Sequence, residues 1–264
     1  MFAESISIDD IVKLEYASFP GEVTVIEEDG PAFEEALDYL SRCRLLGFDT
    51  ETRPCFSSSQ PRSEISLLQL SSGPRAFLFR LNTLKFRQRL RKILSDPEIL
   101  KVGAAVRDDI RGLQRLGWFQ PAGFVDLQQI IWQWGVRDKS VKKMAAIVLG
   151  VRISKTQQLS NWEAVVLSES QIKYASTDAW VCEEMYKKLM VSEQHPLPLE
   201  AVSVHSPEQA GKKMEPAKEK KTEAARGKVS HRRHRHRGKR RSRRQGRDAA
   251  ADTASGSEQT TTPQ

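Results

Sequence analysis

Leu45-Leu46-Gly47-Phe48-Asp49-Thr50-Glu51-Thr52 sets two acids at the end of an apolar run. Residues 44–51 read as a β-strand, whose side chains alternate between faces. Asp49 and Glu51 therefore leave one face while Leu46 and Phe48 take the other. A carboxylate beside buried apolar side chains is costly unless it is paired or bound to a metal. The two-residue spacing lets one acid bridge two hard cations while its neighbour binds one of them or orients a water. The alternative is a strand that ends near Asp49, leaving both acids solvated at its edge.

Working outward, Glu22 to Ile26 alternates like a strand, and Pro31 to Arg42 has helical spacing at Phe33, Leu37 and Leu40. After the acidic strand come Ile65 to Leu70 and Ala76 to Leu81, separated by Ser71-Ser72-Gly73-Pro74. That separator is turn chemistry and predicts an antiparallel meander of three strands. Further on, helix is predicted at 84–94, strand at 100–103, helix at 107–116 and strand at 124–127. Helical segments follow at 128–134 and 141–149. A long helix runs from about Ser168 to Met190, with Gln171 placed to form a capping box with Ser168. A meander followed by βαβ units predicts an α/β fold with a mixed sheet of five to six strands flanked by helices.

Three more residues join Asp49 and Glu51. Asp109 shares a helical stripe with Leu113 and Leu116, whereas Asp108 aligns with Gly112 and Arg115 and suits the exposed first turn of the helix. Tyr174 and Asp178 stand four apart on the last helix and are therefore neighbours. Asp178 borders an apolar stripe that includes Ala175 and Cys182, where a carboxylate wants a partner. Tyr174 can hydrogen-bond a water, and with an ordinary pKa near 10 it acts as a base only beside metal charge. Each feature also has a plainer reading, as a helix cap or as an amphipathic helix with a packing tyrosine.

Composition narrows the chemistry. His195 is the sole histidine of residues 1–200, which argues against a Ser-His-Asp triad or a three-histidine zinc site in the body. No GxxxxGK[ST] loop and no GxGxxG fingerprint occurs. Cys43, Cys55 and Cys182 are odd in number and lack CxxC spacing, which fits a reducing cytosol. The first ten residues lack the pattern of a signal peptide, and no apolar run reaches the roughly 18 residues that span a membrane. An all-carboxylate metal site is what remains.

Taken in order, Phe48-Asp49-Thr50-Glu51, Ile65-Ser66-Leu67-Leu68-Gln69-Leu70, Lys101-Val102-Gly103 with Asp109, Leu159-Ser160-Asn161-Trp162 and Gln171 to Trp180 closely resemble the DEDD exonucleases. The similarity is to the tyrosine subgroup, typified by ribonuclease D and the Werner syndrome exonuclease domain, and covers roughly residues 20–192. It implies an RNase H-like fold and 3′→5′ removal of nucleotides from DNA or RNA. Asp49, Glu51, Asp109 and Asp178 match the family's metal-binding acids, and Tyr174 matches its tyrosine. The implied cofactors are two divalent cations, Mg²⁺ or Mn²⁺, with Asp49 bridging and the attacking water near Tyr174 and Glu51. A catalytically weak or inactive nucleic-acid-binding protein on the same fold is the alternative. Trp162 either packs under the last helix or stacks a base, and the polar loop 53–62 either touches substrate or covers the site.

Charge is uneven along the chain. Residues 201–264 hold 17 Lys/Arg against 7 Asp/Glu, while residues 1–200 hold 25 against 27. The predicted organisation is an N-terminal extension (1–19), the exonuclease domain (20–192), a linker (193–205) and a disordered basic tail (206–264). The tail is too poor in apolar side chains to offset its ordering entropy. Its Arg-rich stretch 230–244 suits nonspecific phosphate contacts and makes a tether for nucleic acid, the plainer reading being a solvated tail. A soluble, cytoplasmic protein is expected, or a nuclear one if the source is eukaryotic.

Overall fold

The computed structural model describes residues 1–54 and 63–198. The elements run α1 (Ile8–Lys13), β1 (Glu15–Tyr16), β2 (Glu22–Ile26), α2 (Pro31–Leu40), β3 (Leu45–Thr52), β4 (Ile65–Ser72) and β5 (Arg75–Arg80). Then come α3 (Gln88–Ser95), β6 (Leu100–Gly103), α4 (Val106–Leu116), β7 (Phe124–Asp126) and α5 (Leu127–Ile130). A 3₁₀ turn (Ile131–Trp134) leads to α6 (Val141–Leu149), β8 (Val151–Arg152) and α7 (Glu169–Met190). Cys55, most of the 53–62 loop, the end of the linker and the basic tail lie outside the described residues.

Six strands form one mixed sheet in the order β2-β5-β4-β3-β6-β7. The meander β3-β4-β5 is antiparallel, as its turn chemistry predicts, and Gly73 in that turn has φ +57, which glycine adopts at least cost. β2 joins the far side parallel to β5, while β6 and β7 extend the near side parallel to β3. Strand alternation then sends Leu46 and Phe48 into a core with Phe33, Leu37, Leu90 and Leu113 from α2, α3 and α4. Leu45 and Val102 face the opposite core, built with Met144 and Val148 of α6 and Val181, Met185 and Leu189 of α7.

Three local details depart from the sequence reading. The helix predicted from residue 84 begins at Gln88, because Leu84 N–H closes a turn onto Arg80 C=O (2.8 Å) and Arg87 is extended. The strand predicted through Leu127 stops at Asp126, whose Oδ1 accepts from Gln128 N–H (3.0 Å) and caps α5. The first nineteen residues also hold short structure: α1 buries Ile11, and β1 pairs parallel with β8. Phe19 N–H donates to Thr177 Oγ1 on α7 (3.0 Å), tying this segment to the helix that carries Tyr174 and Asp178. Six-residue and two-residue elements are too short to show a period in sequence.

Candidate active site

The site forms where β3 outruns its parallel neighbour. β6 pairs with β3 over Leu45–Gly47, and the chain then turns into α4, leaving Phe48 to Thr52 beyond that pairing. Ligands in open α/β sheets sit at such carboxyl ends of parallel strands. A bulge between Glu51 and Thr52 adds local twist at the same place, re-aiming the end of the strand.

α7 crosses this face at very close range, and Gly47 permits it. A Cβ at position 47 would stand 1.9 Å from the Ala179 carbonyl oxygen and 2.5 Å from Ser71 Oγ. Helix backbone thus rests nearly on strand backbone, which brings Asp178 over Asp49. The start of α7 is fixed by the capping box of Ser168 and Gln171, and Gln171 Nε2 also donates to Ser160 Oγ (2.9 Å). Gly47→Ala is expected to push α7 off β3, at a cost of about 1–3 kcal/mol or more. In thermal melts that loss reads as about 2–4 °C per kcal/mol, and an unchanged melting temperature would contradict this packing.

Asp49, Glu51 and Asp178 come together, offering carboxylate oxygens that all lie within 4.8 Å of one another. Burial pushes the Asp49 carboxyl well above the usual range, and the charges of Asp178, Glu51 and Asp109 add to this. Burial likewise lifts Glu51 to about 9 and Asp178 to about 7, the latter offset in part by the Tyr174 hydroxyl and the charge of Lys155. Burial first, and then the surrounding acids, raise Tyr174 far above its ordinary value, so in the metal-free protein it keeps its proton. Trp162 is fully buried with its ring 6.0 Å from that of Tyr174, packing beneath the helix rather than facing a base.

Asp109 stands apart from the trio. It rises from the first turn of α4, and its Oδ1 accepts from Thr50 Oγ1 (2.5 Å), on the residue between the two strand acids. Strand alternation puts Thr50 on the face opposite Asp49, so Asp109 approaches along the β3 edge that β6 leaves open. Burial raises it to about 6. Its neighbour Asp108 points to solvent, 92% exposed, as the helix phase predicts. The turn into α4 requires a left-handed Ala105 (φ 60), and Asp126 Oδ1 holds the Ala105 N–H in place (2.9 Å).

Four acids in partly or fully buried positions have no ion-pair partner among the described residues. An oxygen-only donor set with uncompensated negative charge fits hard divalent cations. The trio opens onto a cavity of about 320 Å³ that Gln128, Ser140, Lys142, Lys155 and Gln158 also line. Sequence reasoning passed over these residues, because single polar residues on short segments look like ordinary solvated surface.

A mixed sheet with an acid pair on its central strand, faced by a Tyr/Asp pair on a crossing helix, is an RNase H-like fold whose acid cluster could hold a metal ion. The 3′-5′ exonuclease family model matches residues 25–192, more than half of the sequence, and the chain belongs to that family. It is 33% identical over 159 residues to exonuclease 3′-5′ domain-containing protein 2 of Drosophila melanogaster, covering 59% of this chain and 27% of that protein. It is 28% identical over 190 residues to the bifunctional 3′-5′ exonuclease/ATP-dependent helicase WRN of Mus musculus, covering 67% of this chain and 13% of the other. The chain thus spans about a quarter or less of the length of these relatives. Among solved structures, Trypanosoma brucei RNase D in complex with RNA U12 aligns with a TM-score of 0.59 and 25% identity, over 66% of this chain and 64% of the other.

Proposed function

We propose that the chain is a 3′→5′ exonuclease that hydrolyses phosphodiester bonds at nucleic-acid 3′ ends with two divalent cations, Mg²⁺ or Mn²⁺. The observation that carries this reading is the acid cluster without a cationic partner, opening onto a cavity at the end of β3. Asp49, Glu51 and Asp178 would hold the cations, and Asp109 would join them from the strand edge. Bound cations of this kind neutralise the phosphate and make water a nucleophile near neutral pH. The charges of Asp178, Glu51 and Asp109 all act on Asp49, which makes it the candidate for a shared ligand. Tyr174 keeps a hydroxyl beside Asp178 and Glu51, placed to hydrogen-bond the attacking water and fix its direction. The buried Trp162 beneath the ring holds that hydroxyl in place. Family membership and the RNase D-like fold support the same reading.

The test pairs matched DNA and RNA oligonucleotides labelled at the 5′ end with Mg²⁺, Mn²⁺ or chelator. A ladder receding from the 3′ end with metal, and none with chelator, is expected; internal cuts or shortening in chelator would refute the proposal. The basic tail is proposed as a phosphate tether. Removing residues 206–264 is expected to raise KM, flatten its salt dependence and leave saturated turnover within about threefold.

A further inference from the structure

Gln69 stands in the middle of β4, a strand buried along nearly its whole length, and is itself wholly buried. Neither Oε1 nor Nε2 of its amide has a hydrogen-bond partner among the described residues. A buried amide without partners costs stability, and a polar group left unpaired in a core calls for a reason. Its place in the sheet supplies one. β3 and β4 pair antiparallel with Asp49 directly opposite Gln69. Opposed residues share a face of the sheet, with Cβ atoms about 4.5–5.5 Å apart, close enough for their side chains to meet. Alternation along β4 puts Leu67 and Ser71 on that face too, and the pairing with β5 adds Leu78. Leu67 and Leu78 belong to an apolar cluster with Trp162, Tyr174 and Ala175 and offer no hydrogen bond. Ser71 Oγ already donates to Glu183 Oε2 (3.4 Å). α7 covers this face, packing on both β3 and β4. Of the residues flanking Gln69 on the sheet, Asp49 is the one that offers carboxylate oxygens.

We propose that Gln69 is a positioning residue for the cation site: its Nε2 donates to the Asp49 carboxylate when that group ligates metal, and fixes how the carboxylate is turned. This rests on the exonuclease reading above. A carboxylate that ligates metal is itself oriented by hydrogen bonds from residues that never touch the ion. An amide suits this place better than a lysine or an arginine, because it supplies donors without cancelling the negative charge that divalent cations need. It does not titrate either, so it brings no proton that competes with metal. The unpaired amide is then a cost carried by the metal-free fold and relieved when cations bind.

The test uses the full chain as wild type and as Gln69→Met and Gln69→Leu, two apolar side chains of comparable bulk that cannot donate. Mn²⁺ binding is followed by isothermal titration calorimetry, stability by thermal melts in chelator, and turnover with a 5′-labelled single-stranded oligonucleotide. Both variants are expected to bind Mn²⁺ about 10- to 100-fold more weakly and to lose kcat by a similar factor, with KM for the oligonucleotide within about threefold. In chelator both are expected to melt at least about 2 °C above the wild type, because an unpaired buried amide has gone. A residue that serves only the scaffold moves the other way: its loss lowers the melting temperature and leaves metal affinity alone. Unchanged Mn²⁺ affinity in the variants, beside a wild type that binds the metal and shortens the strand, would overturn the positioning role and leave the exonuclease reading standing. Variants that melt below the wild type or fail to fold would overturn it too, by making the amide part of the packing. Weaker metal binding in one variant alone would do the same, tracing the effect to shape. A wild type that binds Mn²⁺ without shortening the strand, with variants that bind it more weakly, would instead sink the exonuclease reading and keep the amide at the cation site.

Discussion

Asp49→Asn is expected to slow 3′-end shortening by about 10³-fold or more, equivalent to roughly 4 kcal/mol of barrier, and to raise the melting temperature of the metal-free protein. The two effects have one cause. Asp49 is crowded by Glu51, Asp178 and Asp109, whose charges add to the penalty of its burial. An amide of the same shape removes a carboxylate that the cations need and that the metal-free protein buries only at the cost of taking up a proton. Relief of an uncompensated buried carboxylate is worth about 1–3 kcal/mol, or about 2–12 °C in a domain of this size. Shortening assays and thermal melts in chelator measure the pair. A variant that keeps more than a tenth of the activity would remove Asp49 from the chemistry. One that melts lower than the wild type would show that the carboxylate serves packing instead.

The combination matters because an ordinary structural acid behaves in the opposite way. Glu183 on α7 is also buried and also raised by burial, yet its Oε1 accepts from Gly73 N–H (3.2 Å) and pairs with Lys187 (2.6 Å). Removing it would strand those donors and destabilise the fold. The two carboxylates differ in whether the protein itself compensates them: Glu183 has a backbone donor and a lysine, and Asp49 has further acids. That difference separates a site from a scaffold, and neither conservation nor burial alone would reveal it.

Much of this was legible in the chain because its signals are local. Ser71 to Pro74 declares a turn, so the meander follows; Asp49 and Glu51 are two apart on a strand, so they share a face. Helix phase distinguishes Asp109 from Asp108 without any tertiary knowledge. What sequence withheld depends on distant partners. The parallel pairing of β2 with β5 joins residues about fifty apart, and alternation in Glu22 to Ile26 does not name its neighbour. The 1.9 Å approach at Gly47 is invisible until α7 is laid across β3, since a glycine in a strand has several explanations. Asp109 reaches the cluster by a route the sequence does not name: it comes from α4, accepts from Thr50 Oγ1, and its charge acts on both Asp49 and Glu51.

The metal-free protein is expected to lose stability steadily as pH rises from 5 to 9, and Mg²⁺ or Mn²⁺ is expected to restore it most at the alkaline end. In the unfolded chain these carboxyls ionise near pH 4. In the folded protein Asp109 holds its proton to about 6, Asp178 to about 7 and Glu51 to about 9. The folded state therefore binds more protons over this window, so its stability is full below the unfolded pKa and declines as pH climbs through the folded values. Each extra proton held by the folded state is worth about 1.4 kcal/mol per pH unit. Cations that replace those protons bind the folded chain alone, stabilise it by mass action, and do so more strongly as the competing protons leave. Lys101 pulls the other way: burial lowers it to about 8, so its penalty fades only above that pH, and as a single group it does not reverse the slope. Melting temperatures from pH 5 to 9, with chelator and with each metal, give the comparison. A metal-induced shift that is flat or shrinks with pH would mean that the cations bind elsewhere than at these four acids.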